Sequence, residues 1–289
     1  MTTFWTRPGS TGPGSTTLDG YMARPFVDTE RGVWLEGLDR AVAEEVEALC
    51  RVIAGCVTDA SIMLTLFDRD RRLEVGRPID EERSRLESER RRDLEQDGWA
   101  PDPNKSLGDQ MVNRMDTLSR QAMRDVTRAK WEAGELPYFC AVRLPFLHAR
   151  NFTISLAQLK RALAALAKID TGPARKAIVE ALDGLDRAIP ALKEVRDSVE
   201  HVEDRRRGLG RDKKKLPAVP FDGTFIVGGA NLQIGEALRG DRFGTTASDG
   251  SFVEVEVSDA TLEAARAAAQ AVFDALPWQK GARLCDPPF

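Results

Sequence analysis

Two histidines occur among 289 residues, His148 and His201, and one of them sits where side chains could do chemistry. In "VRDSVEH", residues 195–201, Arg196 and Asp197 precede His201. Histidine titrates near neutrality and can give or take a proton. Arginine presents a planar fork of donors that matches phosphate. Asp197 lies four residues before His201, on the same face of a helix. From there a carboxylate can orient an imidazole and hold it in one tautomer. These residue types suit acid–base work at a phosphate, in which a base takes the proton of an attacking hydroxyl and a cation stabilises charge growing on phosphate.

Directly downstream runs "RRRGLGRDKKK", with Arg205, Arg206, Arg207, Arg211, Lys213, Lys214 and Lys215 against the single acid Asp212. Such a patch can hold an RNA backbone and makes binding salt-sensitive. It reads equally as a solvated helix end, where cations suit the helix dipole. His148, in "FLHARNF", stands four residues before Phe152 and extends an apolar seam. One reading makes it a hydrogen-bonded core histidine. In the other, a turn near residues 170–171 brings it opposite Lys193, within about a turn of Arg196, where it supports the motif from behind.

The elements that must position these residues are mostly helices. Leu38, Val42, Val46, Leu49 and Ile53 recur at three and four within about 35–66. Alternating charges predict a solvated helix over about 79–96. "APDPN" at 100–104 is a break, and a further helix runs over about 107–133. Phe152, Leu156, Leu159, Leu163 and Leu166 form one seam on a helix over about 145–169. "DTGPAR" then supplies a turn, with Thr171 as N-cap and Pro173 in the first helical turn. Ile178, Leu182, Leu185, Ile189, Leu192, Val195, Val199 and Val202 give a matching seam, which Pro190 bends or breaks. A short link between matching seams makes an antiparallel helical hairpin. Over about 223–257 the period drops to two, with Asn, Asp and Gly at turns, which predicts a small antiparallel sheet. A last helix follows Ser258 and Asp259 and stops at Pro277, before an extended end.

The fold class is therefore mainly α: an antiparallel helical bundle with a small antiparallel β-sheet inserted before the last helix. We divide the chain into a flexible Gly/Pro/Ser/Thr-rich tail over 1–30, an N-terminal helical region over 31–138, and a bundle with its β insertion over 139–289.

On an ideal helix Arg196 and His201, five residues apart, point roughly 140° from one another. One helix does not close a site from them. A twofold dimer does, by bringing two copies of the motif into one cleft.

The pattern Arg196-Asp197-x3-His201 resembles that of the HEPN superfamily: an arginine, a polar residue, and a histidine four to six residues beyond the arginine. The resemblance covers at most residues 139–277. It implies a helical bundle that pairs as a homodimer. It also implies a metal-independent endoribonuclease of toxin or defence type, or a relative that has lost catalysis and serves as a scaffold. His201 would be the general acid/base, Arg196 the phosphate stabiliser and Asp197 the orienting residue, leaving a 2′,3′-cyclic phosphate and a 5′-hydroxyl. Some such toxins carry a tyrosine two residues after the histidine. Glu203 stands there instead, so no tyrosine switch is expected.

The bulk properties narrow the field. The chain is 42% hydrophobic and 30% charged, which suits a core-forming protein, and its net charge of −4 leaves any attraction to RNA to a local patch. We read no apolar run of the roughly 18 residues a membrane span needs, no signal-peptide core, and no phosphate-binding glycine loop. Cys50, Cys56, Cys140 and Cys285 lack zinc-like pairing. We expect a cytoplasmic protein with reduced thiols, no cofactor, no metal ligands and no membrane partner. RNA, a second copy and a protein partner such as an antitoxin are the expected associates. The competing expectation is a non-catalytic helical scaffold that binds a protein or nucleic acid.

Overall fold

The computed structural model of the chain describes residues 29–75, 81–96, 98–210, 213–216, 236–280 and 283–286. Residues 1–28 of the predicted tail over 1–30, and the first part of the predicted sheet, 223–235, lie outside these residues.

Strand β1 (Thr29–Gly32) comes first, then helix α1 (Arg40–Val75). α1 begins later than the periodicity suggests. Leu35 bridges to Trp278, and the Asp39 carboxylate then caps the helix by accepting from the Ala41 N–H at 2.9 Å. Helices α2 (Glu81–Glu95) and α3 (Leu107–Glu132) follow, the latter capped by Ser106 Oγ. A short α4 (Tyr138–Ala141) leads into α5 (Leu144–Leu166).

Helix α6 (Ala174–Ala188) returns along α5, tied to it by a Lys160–Asp186 ion pair. Thr171 does not cap α6. Pro173 occupies the N-cap, and Thr171 is buried with no hydrogen-bond partner for its hydroxyl. Pro190 does break the second seam: α6 ends before it and α7 (Leu192–Glu200) begins after it. Then come α8 (Val202–Arg206), strands β2 (Ala237–Arg239), β3 (Arg242–Thr246) and β4 (Phe252–Glu256), helix α9 (Asp259–Ala275) and strand β5 (Arg283–Asp286).

The chain is mainly helical, with a small sheet before the last helix, as the sequence indicates. β2, β3 and β4 form an antiparallel meander in which Phe243 faces Val255 across the β3–β4 pair. β1 pairs antiparallel with β5, so residues 29 and 30 belong to a strand and not to the tail. Gly32 is needed in β1. A Cβ there would lie 2.4 Å from the Trp278 Cβ.

One core serves most of these elements. α1 lies along α5 in the most extensive helix contact, and Val46, Ile53, Leu64 and Phe67 of α1 are buried in one cluster with Phe152, Leu156, Leu159 and Leu163 of α5. The same cluster takes in Ile178 and Leu185 of α6, Val195 and Val199 of α7, Phe243 of β3, and Val272 and Phe273 of α9. It draws on both the 31–138 and the 139–289 regions. α2 and α3 pack on each other around a separate small cluster of Leu94, Leu118 and Ala122.

By length and composition alone, α1 is apolar enough to cross a membrane. The sequence expectation was that no apolar run reaches that length, and within α1 Arg51 and Asp59 do interrupt the apolar residues. Here its apolar face supplies the core of the bundle.

Burial also silences two thiols. It pushes Cys50 up to about 12 and Cys56 up to about 11, and only the thiolate is nucleophilic. In the native protein these two should resist alkylation near neutral pH and react once the chain is unfolded. Peptide mapping after iodoacetamide treatment, with and without denaturant, checks this.

Candidate functional site

α7 presents the motif in two different settings. Val195 and Val199 face the core, and Arg196 and Asp197 emerge at its edge. Arg196 Nε donates to Asp197 Oδ1 at 2.9 Å and lies 3.7 Å from Glu200 Oε2. Glu200 in turn accepts both bonds from Arg161 Nη2 of α5, at 3.1 and 3.0 Å. Asp197 therefore binds the arginine. The sequence reading had it orienting the imidazole of His201.

His201 lies outside both helices. It is the C-cap of α7 and the N-cap of α8, with φ −121° and ψ 39°. The ideal-helix angle between Arg196 and His201 thus does not apply, because the helix breaks between them. His201 is exposed. Its carbonyl accepts from the Arg205 N–H at 3.1 Å to start α8.

Arg205 makes the break possible. It is 5% exposed, its Nη1 donates to the Leu209 carbonyl, and its Nε reaches Ser198 Oγ at 3.5 Å. Gly208, in the left-handed region at φ +73°, turns the chain back. The returning strand is held by Gly210 N–H to the Lys214 carbonyl at 2.7 Å and by Leu216 N–H to the Gly208 carbonyl at 2.8 Å. A Cβ on Gly210 would stand 2.5 Å from the Ser248 carbonyl oxygen, so only glycine lets this turn sit on the β3–β4 turn.

The result is a cleft of about 550 Å³ lined by Arg161, Arg196, Asp197, Glu200, His201, Asp204, Arg205, Gly210, Lys213 and Ser248. The three motif residues share it. The basic stretch divides. Arg205 touches the cleft but is 5% exposed and engaged as a structural clamp by the Leu209 carbonyl and Ser198. Arg207 is exposed, 3.8 Å from Asp204. Lys213, Lys214 and Lys215 are exposed, and Lys213 holds a left-handed backbone at φ +57°. Arg206 ends α8, with nothing described of its side chain, and Arg211 lies outside the described residues.

His148 is elsewhere. Its Nε2 lies 2.8 Å from Asp70 Oδ2 of α1. An ionised carboxylate only accepts, so Nε2 carries the proton in this pair. Arg69 adds Nε and Nη2 bonds to the same carboxylate at 2.7 and 3.1 Å. His148 stands thirteen residues before Arg161 on α5, roughly 20 Å along the helix. It is a core-edge histidine that ties α1 to α5, not a support for the motif.

The sequence reading missed Arg161, Glu200, Asp204, Gly210 and Ser248. Arg161 and Ser248 reach the cleft only through packing between distant segments, which no local spacing announces. It also assigned no metal ligands. Among the described residues, His201, Glu203 and Asp204 bring one donor atom each within 4.8 Å of one another and could hold a cation at the cleft's edge.

Fold and cleft together define a mainly helical protein whose polar site lies at a helix break. Comparison with known proteins finds no matching family model, no matching curated protein and no matching solved structure. The likeness to HEPN domains therefore rests on the motif's residues.

Two predictions follow from this placement. Arg205→Ala leaves Ser198 and the Leu209 carbonyl without their donor, and should lower stability by about 1–3 kcal/mol. Arg207→Ala, on the surface, should change it by less than about 0.5 kcal/mol. Urea titration of both variants checks the contrast.

For Asp70, burial pushes the carboxyl up, but the hydrogen bonds and charges of Arg69 and His148 outweigh it and hold it below its ordinary value. A carboxyl lowered in the folded state contributes stability above its unfolded pKa and loses it as pH falls through the folded one. The stability gap between wild type and Asp70→Asn should be full near neutral pH and close on acidification. Urea midpoints measured across that range check it.

Proposed function

We propose that the cleft beside α7 binds an RNA backbone and cleaves it without a metal, with His201 transferring the proton. The observation that carries this reading is that Arg196 and His201, parted by the helix break, open into one cleft with Arg161 and Lys213.

In the proposed reaction an imidazole takes the proton of the 2′-hydroxyl, and the 2′-oxygen attacks phosphorus. The bond from phosphorus to the 5′-oxygen breaks, and the leaving oxygen takes a proton from a second imidazole. Twofold pairing would supply that second imidazole. Arg196 stabilises the charge on the phosphate oxygens. Phosphate must compete for it with Asp197 and Glu200. In this scheme Asp197 holds Arg196 in place. Lys213, kept in a strained left-handed conformation at the cleft wall, adds a second cation, and such strain is often concentrated at functional sites.

A second reading has its own support. Arg196 and Arg161 both meet carboxylates, so the cleft's charges are largely matched internally. That suits a non-catalytic helical scaffold that binds a protein or nucleic acid.

One experiment separates the two. Purified full chain is incubated with total RNA in EDTA. The enzyme reading expects cleavage that leaves 2′,3′-cyclic phosphate ends, and His201→Ala and Arg196→Ala should each slow it by about 10²–10⁴-fold. Intact RNA supports the scaffold. A His201→Ala protein that cleaves as fast as wild type ends the catalytic assignment.

A further inference from the structure

Helix α3 carries an apolar stripe wider than its neighbour covers. Leu118, Ala122 and Val126 are buried. Leu107, Met111, Val112, Met115 and Met123 continue the stripe yet remain 45–69% exposed. For Leu107, Met111 and Val112 the reason is the length and register of α2. Arg90 pairs with Asp125 at 2.8 Å, and Arg114 reaches the Glu95 carbonyl at 3.4 Å. α2 therefore runs antiparallel over the later part of α3, and the first turns of α3 extend past its end. The pair's own cluster is Leu94, Leu118 and Ala122. Three residues are a small core for helices of 15 and 26 residues.

We propose that a second copy of this chain covers that face, so that two α2–α3 hairpins make an intermolecular four-helix bundle. Charge permits a like partner. α2 and α3 together carry ten acidic and ten basic residues, a formal net charge of zero. Within α2, Arg83–Glu87, Arg85–Glu89 and Arg91–Glu95 satisfy one another at i,i+4. Two copies meet without net repulsion, while nucleic acid finds no net attraction there.

The area is sufficient. At 1.5 Å per residue and about 10 Å of width per helix, the hairpin offers roughly 600 Å² a side, or roughly 1,200 Å² in all, the lower bound for specific, stable interfaces. Methionines at the centre adapt to an opposing surface. The inference does not rest on the cleft beside α7, and a twofold on this face competes with the pairing proposed there.

The test is the mass of the full chain in solution by light scattering or sedimentation. At roughly 100 µM wild type should show twice the 31.9 kDa of one chain. Met111→Glu combined with Met115→Glu should show one chain mass with an unchanged far-ultraviolet helix signal. Should that double variant lose helix, Val112→Arg is read in the same way. A monomeric wild type overturns the proposal, and so does a folded variant that stays dimeric, since the twofold would then lie elsewhere.

Discussion

The grip of α1 on α5 is the constraint on which the rest of the structure depends. Val46, Ile53, Leu64 and Phe67 meet the α5 seam in one continuous core, and burying each such side chain favours the folded state by about 1.5–3 kcal/mol. At one end of the contact, a hydrogen bond between His148 and Asp70 fastens the two helices. α5 then acts as a spine. Lys160 holds α6 through Asp186, Arg161 holds α7 through Glu200, and Phe146 meets Phe243 of β3 edge to face at 5.4 Å. Every wall of the cleft hangs from this spine or from the sheet packed on it.

The second constraint is local and decides what the site can be. A continuous helix would hold Arg196 and His201 on divergent faces. The break at His201 releases the imidazole from that geometry, and the buried Arg205 stabilises the break by closing the following turn. One residue of the basic stretch is thus spent on structure so that its neighbours can face solvent beside the motif. Gly208 and Gly210 are needed for the same turn, the first for its left-handed φ and the second for its close approach to Ser248.

Much of the helical scaffold was legible because three-and-four spacing survives wherever one face is buried. The α5 seam from Phe152 to Leu166 and the break at Pro190 are examples. Turn chemistry was less legible. Thr171 looked like a cap because its type fits, but the chain enters α6 through Pro173. For the site, residue types pointed to the right segment, and side-chain pairing did not follow from spacing. Asp197 sits four residues before His201 but lies beside Arg196, whose fork it meets first. Of the two readings of His148, the one beside the motif used a hairpin register that ignored α1, and Asp70 of α1 is where the histidine binds. Charge alone could not separate Arg205 from Arg207, because burial decides which of them is a clamp.

With two histidines in the chain, the proton spectrum of the imidazoles reads the site directly. A short RNA with a deoxy sugar at the scissile position binds without being cleaved. Titrated into the full chain, it should move the His201 resonance and leave that of His148 in place. Movement of His148 alone, or of neither, would contradict a functional cleft at the break between α7 and α8.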